Sequence, residues 1–338
     1  MFVQGAGPRK QRAYSGVAMT HMHDVRASVD YNHPSKTDAD LHTLHPCADG
    51  GPLCPKLFHH LDLELERDTE TLWCSMSATD RPSYTPGLLA ELLRMQTALW
   101  NVPKAKAQCE AQGIRTLVVA SNTPGVYNLG GDLPLFAAAI RAQDHTALRH
   151  YAHRCAEIVF NNSDGYGGKI STIALVQGQA LGGGFEAALS CHVMVAERSA
   201  RFGLPEVMFN LFPGMGAYSF LSRRLAPAAA ERMILSGNIY TATELHEMGL
   251  VDILAEDGEG VAAVRRYVTE NERRGNARRA MRAMRDLVRP VTLKELVGIT
   301  DLWVEAALQL TEGDLRRMQR LASAQARRAS RTMPTAAE

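Results

Sequence analysis

Two short apolar runs mark the interior of the chain. Leu117-Val118-Val119-Ala120 and Ile173-Ala174-Leu175-Val176 are too short for helices and rich in β-branched residues, so each predicts a buried strand. Residues 57–66 alternate instead, with Leu61, Leu63 and Leu65 set against Asp62, Glu64 and Glu66. That is a strand with one wet face, and a charged turn through Arg67 and Asp68 joins it to a second strand over 71–77. The period then changes. Leu88, Leu89, Leu92, Leu93, Met95 and Leu99 fall on one helical face behind Thr85-Pro86-Gly87, and Pro103 ends or kinks that helix. Helical spacing returns over 132–141 and 144–160, the latter on Leu148, Tyr151, Ala152, Cys155, Ile158 and Val159, before a Gly/Asn/Ser loop over 161–169. After a strand at 192–196, short helices are predicted over 217–225, 227–236 and 242–248. Longer helices fill 258–338, broken at Gly275, at Pro290 and near Gly313. Strands alternating with helices predict an α/β core over 57–257 and a helical region over 258–338. Residues 1–56 are polar, rich in His, Asp, Gly and Pro, and without a sustained period, which predicts a disordered or loosely attached extension.

Candidate chemistry concentrates between Ile173 and Gly216. The central strand runs into Gly178, Ala180 and then Gly182-Gly183-Gly184, after which Phe185 to Leu189 predicts a helix. Three glycines at such a junction cost conformational entropy unless the backbone needs the freedom or a close approach. They leave bare N–H groups at a helix N-terminus, which suits an oxyanion hole. Glu186 lies just inside that helix, and Glu206 follows twenty residues on, behind Pro205. Two carboxylates beside such donors suit acid–base chemistry next to a polarised carbonyl. Each alone has a plainer explanation: Glu186 as a charge stabilising its own helix N-terminus, Glu206 as a solvent-facing residue.

This segment resembles the crotonase (enoyl-CoA hydratase/isomerase) superfamily, whose hydratases carry a glycine run ending in a glutamate and a later Pro-Glu at this spacing. The stretches Asn128-Leu129-Gly130-Gly131-Asp132-Leu133, Gly182 to His192 and Leu211 to Phe220 are most similar to one branch, the bacterial diffusible signal factor synthases, which make cis-2-unsaturated fatty acids. The likeness covers roughly 57–331. It implies a repeated ββα spiral core, with C-terminal helices that close an acyl pocket and pack a homotrimer or a dimer of trimers. Gly131 and Gly183 are the implied oxyanion donors, and Gly130, Gly182, Met215, Gly216 and Trp303 the implied substrate-binding residues. The implied reaction is dehydration of a 3-hydroxyacyl thioester, on acyl-ACP or acyl-CoA, to a cis-2-enoyl product. Glu206 acts there as the ionised base at the α-carbon and Glu186 as the protonated acid at the departing hydroxyl. Thioester hydrolysis by the same glutamates and water is a second implied activity, and no cofactor is implied. Alternatives are an ordinary enoyl-CoA hydratase/isomerase of fatty acid degradation, or a non-catalytic binding protein regulating a partner such as a sensor kinase.

Composition adds exclusions. A formal charge of +1 over 338 residues gives no bulk attraction to nucleic acid, and no apolar run approaches a membrane span. Six irregularly spaced cysteines make no disulfide framework, and a reducing cytoplasm is the expected compartment. His42, His45, Cys47, Cys54 and His59 cluster but fit no zinc spacing, and His145, His150 and His153 are expected at solvated edges. Gly178-x-Ala180-x-x-Gly183 is a weak dinucleotide fingerprint without a repeated βαβ partner. Cys191-His192 lacks a nucleophile's geometry, because neighbours on a strand point to opposite faces, and there is no G-x-S-x-G. Arg316, Arg317, Arg320, Arg327, Arg328 and Arg331 make a basic last helix, a solvated face or a docking face for acyl carrier protein.

Overall fold

The structure is a computed structural model and describes residues 53–105 and 113–332. The expected extension, apart from its last few residues, and the candidate ligands His42, His45 and Cys47 lie outside the described residues. The chain opens with an antiparallel hairpin, β1 (Leu61–Glu66) and β2 (Thr71–Met76), and helix α1 (Pro86–Ala105). Next come β3 (Thr116–Ser121), β4 (Val126–Asn128), α2 (Leu133–Arg141) and α3 (His145–Gly168). A third unit holds β5 (Ser171–Val176), β6 (Gln179–Leu181) and α4 (Gly183–Ser190). A fourth holds β7 (Val193–Glu197), β8 (Arg201–Gly203), a 3₁₀ turn over Pro205–Phe209, α5 (Ala217–Leu221) and α6 (Pro227–Ser236). Then follow β9 (Ile239–Thr241), α7 (Ala242–Glu247), β10 (Ile253–Ala255), α8 (Gly260–Val288), α9 (Leu293–Leu308) and α10 (Glu312–Thr332).

One sheet has the order β1-β2-β3-β5-β7-β10, the other β4-β6-β8-β9. In the β3–β4, β5–β6 and β7–β8 units the first strand joins the larger sheet, the second joins the smaller one, and helices follow, whereas β1 and β2 both belong to the larger sheet. This is the repeated ββα core with a C-terminal helical subdomain. Five of the six strands of the larger sheet run parallel, with β1 as the antiparallel edge. Their central strands are buried on both faces, which is why they are unbroken apolar runs. One face packs on α8 through Val264 and Val268 against Val118, Ile173 and Val195. The main core lies on the other face, under α1, α3, α4 and α9.

Several boundaries differ from the sequence pattern. Helix α1 continues through Pro103 to Ala105, since a proline in a last turn forfeits only one hydrogen bond. Helix α3 runs past Phe160, and the chain leaves helical geometry at Gly165, Tyr166 and Gly167, all at positive φ. Gly275 does not break α8; an interior glycine costs about 1 kcal/mol, less than a tertiary-packed helix can absorb. The three-residue strands of the smaller sheet are too short to show a period. His145 and His153 face acids of α9, with His153 Nε2 2.7 Å from Asp301 Oδ1, beside an Arg149–Asp301 pair. These contacts tie α9 to α3 and so fix where Trp303 lies.

Candidate active site

Each of the three consecutive glycines leaves room for a different neighbour, two of them walls of one small cavity and the third the backbone of the loop behind it. A Cβ on Gly182 would lie 2.4 Å from Glu206 Oε1, one on Gly183 would lie 2.5 Å from Met215 Sδ, and one on Gly184 would lie 2.1 Å from the Asn128 carbonyl oxygen. No side chain fits at such distances. Gly182 also adopts φ 51°, ψ −127°, a conformation closed to L-residues, and so turns β6 sharply into α4. The turn directs Glu186, 1 % exposed, into the protein.

The opposing loop is built to match. Asn128 Oδ1 accepts from the Gly130 N–H at 2.8 Å, and the Leu129 N–H donates to the Pro82 carbonyl at 2.7 Å. Gly130, at φ 90°, brings its backbone against the Leu181 carbonyl and the Gly183 amide, where a Cβ would lie within 2.8 and 2.9 Å. The Tyr151 hydroxyl braces the loop from α3, donating to Tyr84 O at 2.5 Å and accepting from the Asp132 N–H at 3.2 Å. Asp132 in turn caps α2 through the Leu135 N–H and pairs with Arg81 at 2.8 Å. Within the described residues no acceptor takes the N–H of Gly131 or of Gly183. Both glycines line the cavity, whose volume is about 50 Å³.

The two glutamates meet in that cavity but are held differently. Glu186 Oε1 accepts two backbone hydrogen bonds, from Met215 N–H at 2.7 Å and Ala217 N–H at 2.9 Å. Gly216 lies between those donors at φ 111°, which turns both amides toward one oxygen. Burial pushes the Glu186 carboxyl up to about 7, against the pull of those N–H groups toward ionisation. Glu206 projects from the 3₁₀ turn with Oε2 closed off from solvent and without a hydrogen-bond partner. Burial, and then the negative charge of Glu186, pushes it up to about 8. Donors stabilise an ionised carboxylate and an unpartnered buried oxygen does not. Both carboxyls are thus held above the ordinary carboxylate range, and the amide donors bias Glu186 toward ionisation. The resemblance implies the opposite charge state, Glu206 ionised and Glu186 protonated, for dehydration.

Of the remaining sequence-selected positions, Met215 and Trp303 line the cavity. Trp303 is 6 % exposed, packs edge-on against Phe136 at 4.9 Å, and covers Gly214, where a Cβ would lie 2.5 Å from its ring. Gly130, Gly182 and Gly216 sit behind the wall and shape it rather than face the cavity. Sequence reasoning missed Phe136, Tyr151 and Thr300 as cavity residues. Their apolar or helical spacing marks them only as interior, and the meeting of α2, α3 and α9 exists only in three dimensions. His192 and Cys191 are no catalytic dyad. His192 is fixed by Thr172 and the Ser163 carbonyl, and burial pushes the Cys191 thiol up to about 12. Among the described residues no group of His, Cys, Asp and Glu is placed to hold a metal ion. No described helix is long and apolar enough to cross a membrane.

A ββα spiral with a buried and a half-buried carboxyl facing one cavity and two glycine amides at adjoining loops defines the class of the crotonase fold. The enoyl-CoA hydratase/isomerase profile matches residues 96–328, and the chain belongs to that family. Mitochondrial methylglutaconyl-CoA hydratase of Rattus norvegicus is 32 % identical over 155 residues, 45 % of this chain and 47 % of the relative. The chain spans about half the length of the curated relatives it first matches. Among solved structures, the enoyl-CoA hydratase of Bacillus halodurans superposes with a TM-score of 0.64 at 20 % identity, covering 78 % of this chain and 100 % of that one. Pseudomonas aeruginosa DspI superposes with a TM-score of 0.53 at 24 % identity, covering 68 % and 86 %. At these identities the superpositions speak to the fold.

Proposed function

We propose that the protein adds water across the double bond of 2-enoyl-CoA thioesters and runs the reverse dehydration. The observation that carries this reading is the unequal pair: Glu186 Oε1 takes two amides from the facing turn, whereas Glu206 Oε2 is buried without a partner and only the residue's own backbone N–H supports its carboxyl. The Gly131 and Gly183 N–H groups bind the thioester oxygen, where negative charge develops. Ionised Glu186 takes a proton from water as its oxygen bonds to C3. The C2–C3 π electrons move onto the carbonyl oxygen, and the enolate so formed takes a proton at C2 from Glu206. Turnover leaves Glu186 protonated and Glu206 ionised, which is the starting state for dehydration. The two opposite charge assignments are thus the two ends of one reversible reaction. The test is hydration of a short trans-2-enoyl-CoA in D₂O. Loss of the conjugated thioester's ultraviolet absorbance with one deuterium at C2 supports the reading, and no hydration overturns it.

A finer reading rests on the wording of 128–133, 182–192 and 211–220, which supplies both loops of the site and the amides on Glu186. On that reading the substrate is a 3-hydroxyacyl-ACP, the product a cis-2-enoyl thioester, and thioester hydrolysis releases a diffusible signal factor. Mass spectrometry of 3-hydroxyacyl-ACP incubations separates the two. A cis-2-enoyl product and free acid support the finer reading, and trans-2-enoyl-CoA chemistry alone leaves only the first. Trimer assembly, a sensor-kinase partner and the cytoplasmic location belong to this finer proposal.

A further inference from the structure

Helix α8 outruns the sheet it covers. Its first half packs Val264 and Val268 on the larger sheet. Its second half carries Arg278, Arg279, Arg282 and Arg285 along a cavity of about 340 Å³. That is several times the catalytic cavity of about 50 Å³, and the two share no lining residue. Lys169 and Arg115 line the same cavity, and Asp252 is the one carboxylate among the described residues lining it. Only Arg115 of these six cations is in an ion pair in the described structure, with Glu70. Gly275, the glycine that fails to break α8, also lines the cavity. A Cβ there would lie 3.1 Å from the Arg279 guanidinium.

The innermost arginine is fixed by neutral acceptors. Arg282 Nη1 donates to the Ile170 carbonyl at 3.2 Å and to His192 Nδ1 at 3.0 Å. The same Nδ1 accepts from the Thr172 N–H at 3.0 Å, so it carries no proton. His192 is then the Nε2–H tautomer, donating to the Ser163 carbonyl at 3.0 Å. Burial, with the charges of Arg282 and Arg285, holds this imidazole neutral, down to about 3. Arg282 is thus oriented by two neutral acceptors; Asp286 offsets part of its charge from outside ion-pair distance, while Arg279 and Arg285 add to the positive field. A fold that only needed α8 attached gains nothing from massing cations around a cavity, because like charges repel. An anion with several negative oxygens relieves that repulsion and matches the planar donors of arginine.

We propose that this cleft is a second ligand site, separate from the catalytic cavity, for a small multiply phosphorylated anion. The experiment is calorimetric titration of inorganic pyrophosphate into the whole protein and into an Arg279→Gln/Arg285→Gln variant. Both arginines are exposed and make no side-chain hydrogen bond within the described chain, so the variant keeps its fold; an unchanged melting temperature without ligand checks this. The expected result is saturable one-site binding, weakened at least about tenfold in the variant and unchanged in Arg316→Gln/Arg320→Gln on α10. Absence of binding at millimolar pyrophosphate, or equal binding by the cleft variant, overturns the proposal. So does equal loss in the α10 variant. Repeating the titration with saturating coenzyme A identifies the source of the anion. Undiminished binding assigns the cleft to a free phosphate compound, and displacement assigns it to the thioester's own phosphates.

Discussion

The carboxyl group of Glu206 occupies the space that a side chain on Gly182 would fill, its Oε1 only 2.4 Å from where a Cβ would stand. The first glycine of the triplet thus does two jobs, turning β6 into α4 and seating one member of the carboxyl pair. Gly182→Ala must either displace Glu206 or unwind the turn, at a backbone cost of roughly 1–2 kcal/mol. The expected outcome is a folded protein, seen by circular dichroism, whose hydration rate falls about a hundredfold or more. Near-wild-type turnover would show that Glu206 does not need this seat.

Raised carboxyl pKa values make the site a source of instability in alkali. A carboxyl whose folded value lies above its ordinary 4.5 binds more protons in the native state between those two values, so stability falls as pH rises through that window. For Glu206 the window runs from about 4.5 to about 8. Glu206→Gln removes the ionisation while keeping the shape. Urea denaturation is expected to show equal stabilities near the lower end and a variant more stable by on the order of 1–3 kcal/mol above the upper end. A variant less stable at both ends contradicts the burial argument.

Tyr151 touches neither carboxyl of the pair by hydrogen bond, yet its hydroxyl bridges Tyr84 and Asp132 on either side of the Gly131 loop. Tyr151→Phe leaves a buried carbonyl and a buried N–H unpaired, at about 1–3 kcal/mol. It should lower kcat roughly tenfold with a smaller change in KM, because in the proposed reaction the Gly131 N–H stabilises charge that develops after binding. A change in KM alone would mean that the loop positions the ground state instead.

Trp303 bears on acyl selectivity. Truncation to alanine removes the indole from above Gly214 and Phe136, enlarges the cavity, and costs roughly 3–5 kcal/mol of stability. The rate profile across 2-enoyl-CoA chain lengths should shift toward longer chains in Trp303→Ala. An unchanged profile with the same stability loss would make Trp303 ordinary core.

The sequence exposes what is periodic or compositionally odd. The buried strands at 117–120 and 173–176, the helix face from Leu88 to Leu99 and the glycine triplet before Glu186 are all visible along the chain. The smaller sheet is not, because strands of three residues have no period to detect. Glu186 and Glu206 can be selected from spacing, but their protonation cannot. That depends on which one collects the Met215 and Ala217 amides, a contact made across a turn whose φ angles leave no trace in residue types beyond Gly216. Gly275 misleads for the complementary reason: its helical cost is small beside the packing that holds α8, and it lines the cationic cleft beside the Arg279 guanidinium.

The central claim is that one proton shared by Glu186 and Glu206 adds water to an enoyl thioester. The direct measurement is the pH dependence of kcat/KM for trans-2-enoyl-CoA hydration by the wild type, Glu186→Gln and Glu206→Gln. The singly protonated pair should give a bell with its maximum between about 7 and about 8, and each variant should lose on the order of 10²–10⁴-fold in rate. A flat profile, or near-full rates in both variants, would contradict it.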